Sequence, residues 1–381
     1  MSFELSTVCI HGNGKRKKVE NTGSISFPIY QTATFAHPGV GQSTGYDYSR
    51  AQNPTREEVE RIVKDLEHGI DALAFSTGMA AVSAFMEFFR PGDHIVATDD
   101  LYGGTIRQFR LINEKNGIEV TYVDTSDLEQ VKAAIKENTK LIYVETPTNP
   151  MMQVTDIAAV SEIARKSNCL LAVDNTFLTP YYQNPLDLGA DVVIHSATKY
   201  LEGHNDTLGG FLITNSENIS AELRKIIKTV GSGLAPFDCW LILRGIKTLA
   251  VRMEKHQENA IQVAKWLQTH PKVKEVRYIG LDNHPGKEII SRQCRGFGGM
   301  LTFRVDSKET AYAILEKVKL VQYAESLGGT ESLITYPMTQ THADVPVEKR
   351  LEKGIDETLL RMSVGIEAVQ DIIADLEQAL N

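Results

Sequence analysis

The chain has no apolar run approaching the roughly 18 residues that a membrane-spanning helix needs, so no membrane span and no membrane partner is expected. Cationic charge is in deficit, with Lys+Arg 40 against Asp+Glu 49 and a formal net charge of −9. A surface that binds nucleic acid needs the opposite balance, so no nucleic-acid partner is expected. Cysteine is scarce: Cys9, Cys169, Cys239 and Cys294 lie far apart with no Cys-x-x-Cys pair. That spacing argues against a structural zinc site and for a reducing compartment, so no metal is expected. The first eighteen residues lack an apolar stretch behind a basic one, which argues against secretion. Together these absences predict a soluble, cytoplasmic protein. No repeat of solenoid period occurs, and no Gly-x-Gly-x-x-Gly lies between a strand and a helix. The glycines at 296, 298 and 299 precede a strand and do not suit a dinucleotide.

What is present reads as a globular enzyme of two or three structural units, with 42% hydrophobic and 23% charged residues in 381. The run Lys15-Arg16-Lys17-Lys18 is the single basic cluster and reads as a solvated face of an N-terminal arm. Short apolar runs at 72–75, 94–97, 141–144, 170–173 and 192–194 alternate with amphipathic helical patterns. Thr55 with Glu58, and Ser126 with Glu129, carry the spacing of capping boxes that would start two of those helices. Buried strands joined by helices predict an α/β fold with a mostly parallel sheet and ligands beyond the carboxyl ends of its strands. After about residue 235 the pattern changes. Residues 237–267 predict one long helix, 300–305 a strand, and 369–380 a final amphipathic helix. The expected organisation is an extended arm over 1–50, a large domain over 51–245 and a smaller α+β domain over 246–381.

Four strand ends carry polar groups of different kinds. Ser76-Thr77-Gly78-Met79 opens a helix where backbone N–H groups can meet a phosphate. Asp174 follows an apolar strand, where a carboxylate calls for a cationic partner. Ser196, Thr198 and Lys199 combine two hydroxyls with an amine whose pKa a buried position would lower. Tyr102 stands on a flexible turn next to Gly103 and Gly104. A phosphate cup, an aromatic plate, an acid and a lysine are the requirements of pyridoxal 5'-phosphate. Gly78 and Met79 amides with Ser196 and Thr198 hydroxyls would take the phosphate. Tyr102 would stack on the ring, Asp174 would keep the ring nitrogen protonated, and Lys199 would form the Schiff base and then carry protons.

The chain resembles the Cys/Met-metabolism (transsulfuration) family of pyridoxal-phosphate enzymes. The matching stretches begin with Gly45-Tyr46-Asp47-Tyr48-Ser49-Arg50, Asn53-Pro54-Thr55-Arg56 and Ser76-Thr77-Gly78-Met79. They continue with residues 101–105, Glu145-Thr146-Pro147-Thr148-Asn149-Pro150, Val173-Asp174-Asn175-Thr176 and residues 195–200. The last are Ala324-Glu325-Ser326-Leu327-Gly328-Gly329 and Arg361-Met362-Ser363-Val364-Gly365. The resemblance implies fold type I of the pyridoxal-phosphate transferases. It implies that Tyr48 and Arg50 reach the cofactor phosphate of a neighbouring subunit, within a homotetramer built of active-site-sharing dimers. It gives Asn149 a contact with the cofactor ring and Arg361 the substrate α-carboxylate. Ser326 would help hold the cofactor lysine and the substrate, and Glu325 would hold either the amine of an incoming cysteine or the distal end of cystathionine.

An acid at position 325 is linked by the resemblance to chemistry at the γ carbon. Gly104 stands where methionine γ-lyases typically have cysteine. Ala51 stands where some γ-synthases have an arginine for a succinyl group, which argues against O-succinylhomoserine and leaves O-acetylhomoserine open as the donor. The leading expectation is γ-replacement, in which cysteine displaces the acyl group of an O-acylhomoserine to give cystathionine. The alternatives are γ- or β-elimination from cystathionine, O-acetylhomoserine sulfhydrylation, and a pyridoxal-phosphate-binding protein without catalysis.

Overall fold

The computed structural model describes residues 3–13, 23–340 and 347–381. The basic cluster 15–18 lies outside them. Seven strands form the larger sheet: β1 Asp71–Phe75, β2 His94–Thr98, β3 Glu119–Val123, β4 Thr139–Glu145, β5 Leu170–Asp174, β6 Val192–Ser196 and β7 Gly210–Thr214. Their order is β1-β7-β6-β5-β4-β2-β3. The pairings from β6 across to β3 are parallel, and β7 runs antiparallel to both its neighbours. The mostly parallel sheet is therefore as expected, and all five predicted strands are present. Two strands had no counterpart in the sequence reading. The edge strand β3 is only half covered, and β7 starts at a glycine pair with no helix before it. Apolar cores lie on both faces, one against the helices Pro54–Leu66 and Pro236–Ile246 and another beneath Gly78–Met86. Each fully covered Val, Ile or Leu contributes roughly 1.5–3 kcal/mol, which fixes the sheet as a rigid platform.

The second sheet joins β8 Val273–Arg277, β9 Met300–Val305, β10 Gln322–Tyr323, β11 Leu333–Thr335 and β12 Leu359–Ser363, in the order β10-β11-β12-β9-β8. Its pairings are antiparallel except β10 with β11. Helices Leu249–Thr269, Lys308–Lys317 and Val369–Leu380 cover it, so this part is α+β.

Three local expectations are corrected. The 237–267 stretch is two helices, because the Gly245 carbonyl is taken by the Thr248 hydroxyl at 3.0 Å and by Arg252 at 2.9 Å. A side chain that competes for backbone partners ends the first helix there. The helix Pro54–Leu66 is capped by Asn53, whose side chain accepts from Thr55 N at 2.9 Å. Thr55 instead ties down the arm, donating to Pro28 O and accepting from Tyr30 N. Asp127, two residues from Glu129, caps Leu128–Ala134, while Ser126 donates to Asp124. The arm also contains a helix, Leu5–His11, which buries Val8 and Cys9 in the main core. Among the described residues, no helix is long and apolar enough to cross a membrane. No group of three or more His, Cys, Asp or Glu among them could hold a metal ion.

Candidate active site

Because β1, β2, β4, β5 and β6 run the same way, their carboxyl ends share one edge of the sheet. Beyond β1 the helix Gly78–Met86 is capped by Thr77, which accepts from Ala80 N at 2.9 Å. The first-turn amides of Gly78 and Met79 have no partner inside the helix and carry its positive end. A Cβ on Gly78 would sit 2.9 Å from Ser196 Cβ, so only glycine lets the helix start this close to β6. That contact sets the two amides beside Ser196 and Thr198.

Beyond β2, Tyr102 N donates to Glu145 Oε2 at 2.9 Å and the helix Gly103–Gln108 follows. A Cβ on Gly104 would lie 2.4 Å from the Tyr102 ring, so the ring folds over that glycine and stays 43% exposed. Asp174 ends β5. Its Oδ1 accepts from Thr176 N at 3.0 Å and from Thr176 Oγ1 at 2.6 Å, and Ser196 N donates to the same hydroxyl at 2.9 Å. Burial raises the Asp174 pKa, while the Thr176 bonds and His195 oppose the rise.

Lys199 follows β6 by three residues. Its Nζ donates to Ser326 Oγ at 2.7 Å. Burial, with the Arg361 charge second and Glu325 opposing, brings the amine down to about 8. Ser326 holds a φ of +94°, which costs about 1–3 kcal/mol for a residue with a Cβ. Bonds from Lys199 to its hydroxyl and from Arg361 Nη2 to its carbonyl, at 2.9 Å, over-determine that conformation.

Arg361 lies on β12 and is 2% exposed. Its Nη1 donates to Asn149 Oδ1 at 3.0 Å and its Nη2 to Thr335 Oγ1 at 3.0 Å. Its Nε is buried without a partner. Burial lowers its pKa to about 10, against Tyr200 and Glu325. A guanidinium held this way is preorganised for a carboxylate.

A cavity of about 550 Å³ joins these groups and is lined by Gly78, Tyr102, Asp174, Lys199, Glu325 and Arg361, among others. Met79, Asn149, Ser196, Thr198 and Ser326 line it too. Tyr48 and Arg50 do not. Tyr48 bridges Thr34, and Arg50 stacks on the Tyr48 ring and donates to the Lys228 carbonyl. Glu145 and Thr176 also line the cavity and were not singled out from the sequence. Glu145 carried the same signal as Asp174, an acid closing an apolar strand. A larger groove of about 760 Å³ runs between 151–154 and β8, and none of the candidate residues lines it.

The cavity suits pyridoxal phosphate on several counts. It offers amides and hydroxyls for a dianion, a ring to stack on, a carboxyl for a pyridine nitrogen and an amine of lowered pKa.

The family model described as Cys/Met metabolism PLP-dependent enzyme matches residues 6–381. The chain is 50% identical to the cystathionine gamma-lyase of Bacillus subtilis (strain 168), over 99% of each chain. It is 47% identical to the cystathionine beta-lyase of Lactococcus lactis subsp. cremoris (strain MG1363), over 99% of this chain and 98% of that one. Among solved structures, the cystathionine gamma synthase of Xanthomonas oryzae pv. oryzae, in complex with aminoacrylate and cysteine, superposes with a TM-score of 0.97. It is 36% identical, over 100% of this chain and 98% of that one. The two-part architecture is thus that of fold type I, as the resemblance implied.

Proposed function

The chain belongs to the Cys/Met metabolism PLP-dependent enzymes, and on that footing we propose that it catalyses γ-replacement, joining O-acylhomoserine and cysteine into cystathionine with release of the carboxylic acid. The supporting observation is the Glu325 carboxylate, which faces the same cavity as Lys199 and Arg361. Of the acids among the described residues that line the cavity, it is the one left for the amine of an incoming cysteine once Asp174 is given to the ring nitrogen and Glu145 is bonded to Tyr102 N.

When bound, pyridoxal phosphate supplies a ring that takes up the negative charge left on Cα after proton removal. The chain's residues do the rest. Gly78 and Met79 amides with Ser196 and Thr198 hydroxyls would hold its phosphate, Tyr102 and Asn149 would hold its ring, and Asp174 would keep a proton on the ring nitrogen. Arg361 clamps the substrate α-carboxylate. Lys199 anchors the cofactor, takes the Cα proton and delivers one near Cβ, with Tyr102 beside it. Ser326 aims the Lys199 Nζ. Tyr48 and Arg50 complete the phosphate site of a neighbouring copy in a homotetramer, and the enzyme acts in the cytoplasm.

A second reading is elimination from cystathionine at the γ or β carbon. The 50% and 47% identities to a gamma-lyase and a beta-lyase favour it. In that case Glu325 would hold the distal amine of cystathionine.

Steady-state rates with O-acetylhomoserine plus cysteine, O-succinylhomoserine plus cysteine, and cystathionine alone separate the readings. Synthesis from the acetyl donor should be fastest. Glu325→Gln should raise KM for cysteine by about tenfold or more, as expected when a charge-assisted contact is removed. Rapid cystathionine breakdown without synthesis would sink the lead.

A further inference from the structure

We propose that Glu145 positions Tyr102 and is the protonated member of a carboxyl pair whose charge resides on Asp174. The inference rests on the roles given above to Tyr102 and Asp174. Glu145 and Asp174 are register partners at the ends of the parallel strands β4 and β5, so their side chains leave the same face of the sheet. Both line the cavity, and Glu145 is only 5% exposed. Two carboxyl groups this close, shielded from water, do not both ionise cheaply.

Their hydrogen bonds decide which one keeps the proton. Asp174 accepts two bonds on one oxygen, from Thr176 N and from Thr176 Oγ1 at 2.6 Å. Glu145 accepts one, from Tyr102 N at 2.9 Å. More and shorter donors favour the anion. The surrounding charges act in the same direction. Asp100 and Asp174 face Glu145, with Arg361 as its offsetting cation, whereas His195 supports Asp174. The Tyr143 hydroxyl lies buried within the field of both acids, next to Thr105. Burial and the neighbouring Asp174 carry the Glu145 carboxyl well above the usual carboxylate range.

A neutral carboxyl still accepts through its carbonyl oxygen, so the bond to Tyr102 survives protonation. That bond matters because Tyr102 starts a helix without a side-chain cap of its own. Glu145 supplies the cap from the neighbouring strand and so fixes where the ring lies. It acts on the reaction through Tyr102 and Asp174, as a positioning residue.

The test compares holoenzyme with Glu145 intact, Glu145→Gln and Glu145→Ala. The Ala variant should lose about tenfold or more in kcat and in cofactor affinity. Gln, neutral and still an acceptor, should recover both to within about threefold. It should also leave the pH midpoint of the bound-cofactor absorbance within about 0.3 units of the parent. The infrared carbonyl absorption of protonated carboxylic acids in the cofactor-free protein near neutral pH should lose one component in Glu145→Gln relative to the parent, while the contributions of Glu202 and Asp100 persist in both. Gln as damaging as Ala, a midpoint moved by about a unit, or an unchanged carboxylic-acid absorption in Glu145→Gln would each overturn the proposal. If Ala does not fold, the Gln profile and the infrared band decide. A parent protein without any bound-cofactor absorbance would instead overturn the functional reading, while the infrared band would still report on Glu145.

Discussion

At the scale of single residues the site depends on burial more than on any one bond. Lys199 is an ordinary surface residue by composition, yet the apolar walls and Arg361 bring its amine down to about 8. A lysine whose pKa is lowered becomes a free amine as pH rises through the lowered value. The rate at which cofactor-free protein takes up pyridoxal phosphate should therefore climb between about pH 7 and 9, with a midpoint near 8. Stopped-flow absorbance measures it, and a midpoint at the ordinary lysine value would show the amine to be solvated. Asp174, Lys199 and Tyr102 drew notice in the sequence because each stands at, or within four residues of, the end of a buried strand. Glu145 was equally marked but joined no chemistry until its bond to Tyr102 was visible. Thr176 gave no signal, since a threonine two residues beyond an acid is ordinary turn chemistry.

Among the elements, the helix Gly78–Met86 shows what a strand-to-helix turn requires. Its first glycine touches Ser196 so closely that any side chain would push helix and strand apart. Gly78→Ala should raise the cofactor dissociation constant by about tenfold or more, since the amides would shift off a charged phosphate. The cofactor-free protein should also lose about 1–3 kcal/mol in thermal unfolding, the cost of overpacking that contact. Equal cofactor affinity by fluorescence titration would show that the amides do not hold the phosphate. The buried strands were readable because apolar runs between amphipathic helices have few alternatives. The break at Lys247 and Thr248 was not, because it depends on Arg252 and Thr248 taking the Gly245 carbonyl. The caps slipped for a similar reason. Several polar residues compete within two positions, and packing of the arm on Thr55 chooses among them.

The whole molecule joins two sheets around one cavity. The long helix Leu249–Thr269 spans both: Met253 belongs to the core under the large sheet, while Val263 and Leu267 belong to that of the small one. The expected division near residue 245 stands as a proposal, and limited proteolysis would test it. The arm residues Tyr48 and Arg50 do not line the cavity of their own chain, and the proposed reading has them complete a neighbour's site. Mixing inactive Lys199→Ala with inactive Arg50→Ala in equal amounts under subunit exchange should restore about a quarter of parental activity overall, because about half of the dimers are then mixed and each of those keeps one of its two shared sites intact. No recovery, with exchange verified by mass spectrometry, would place Arg50 outside the site. The sequence by itself determined the parallel sheet, the strand ends and the chemical kinds of group placed there, because strand burial and local turn chemistry are written in periodicity. Only the tertiary structure decided that Arg361, Ser326 and Glu325, more than 120 residues beyond Lys199, close over its amine. Pairing of the second sheet sets that approach, and no local pattern encodes a long-range packing contact.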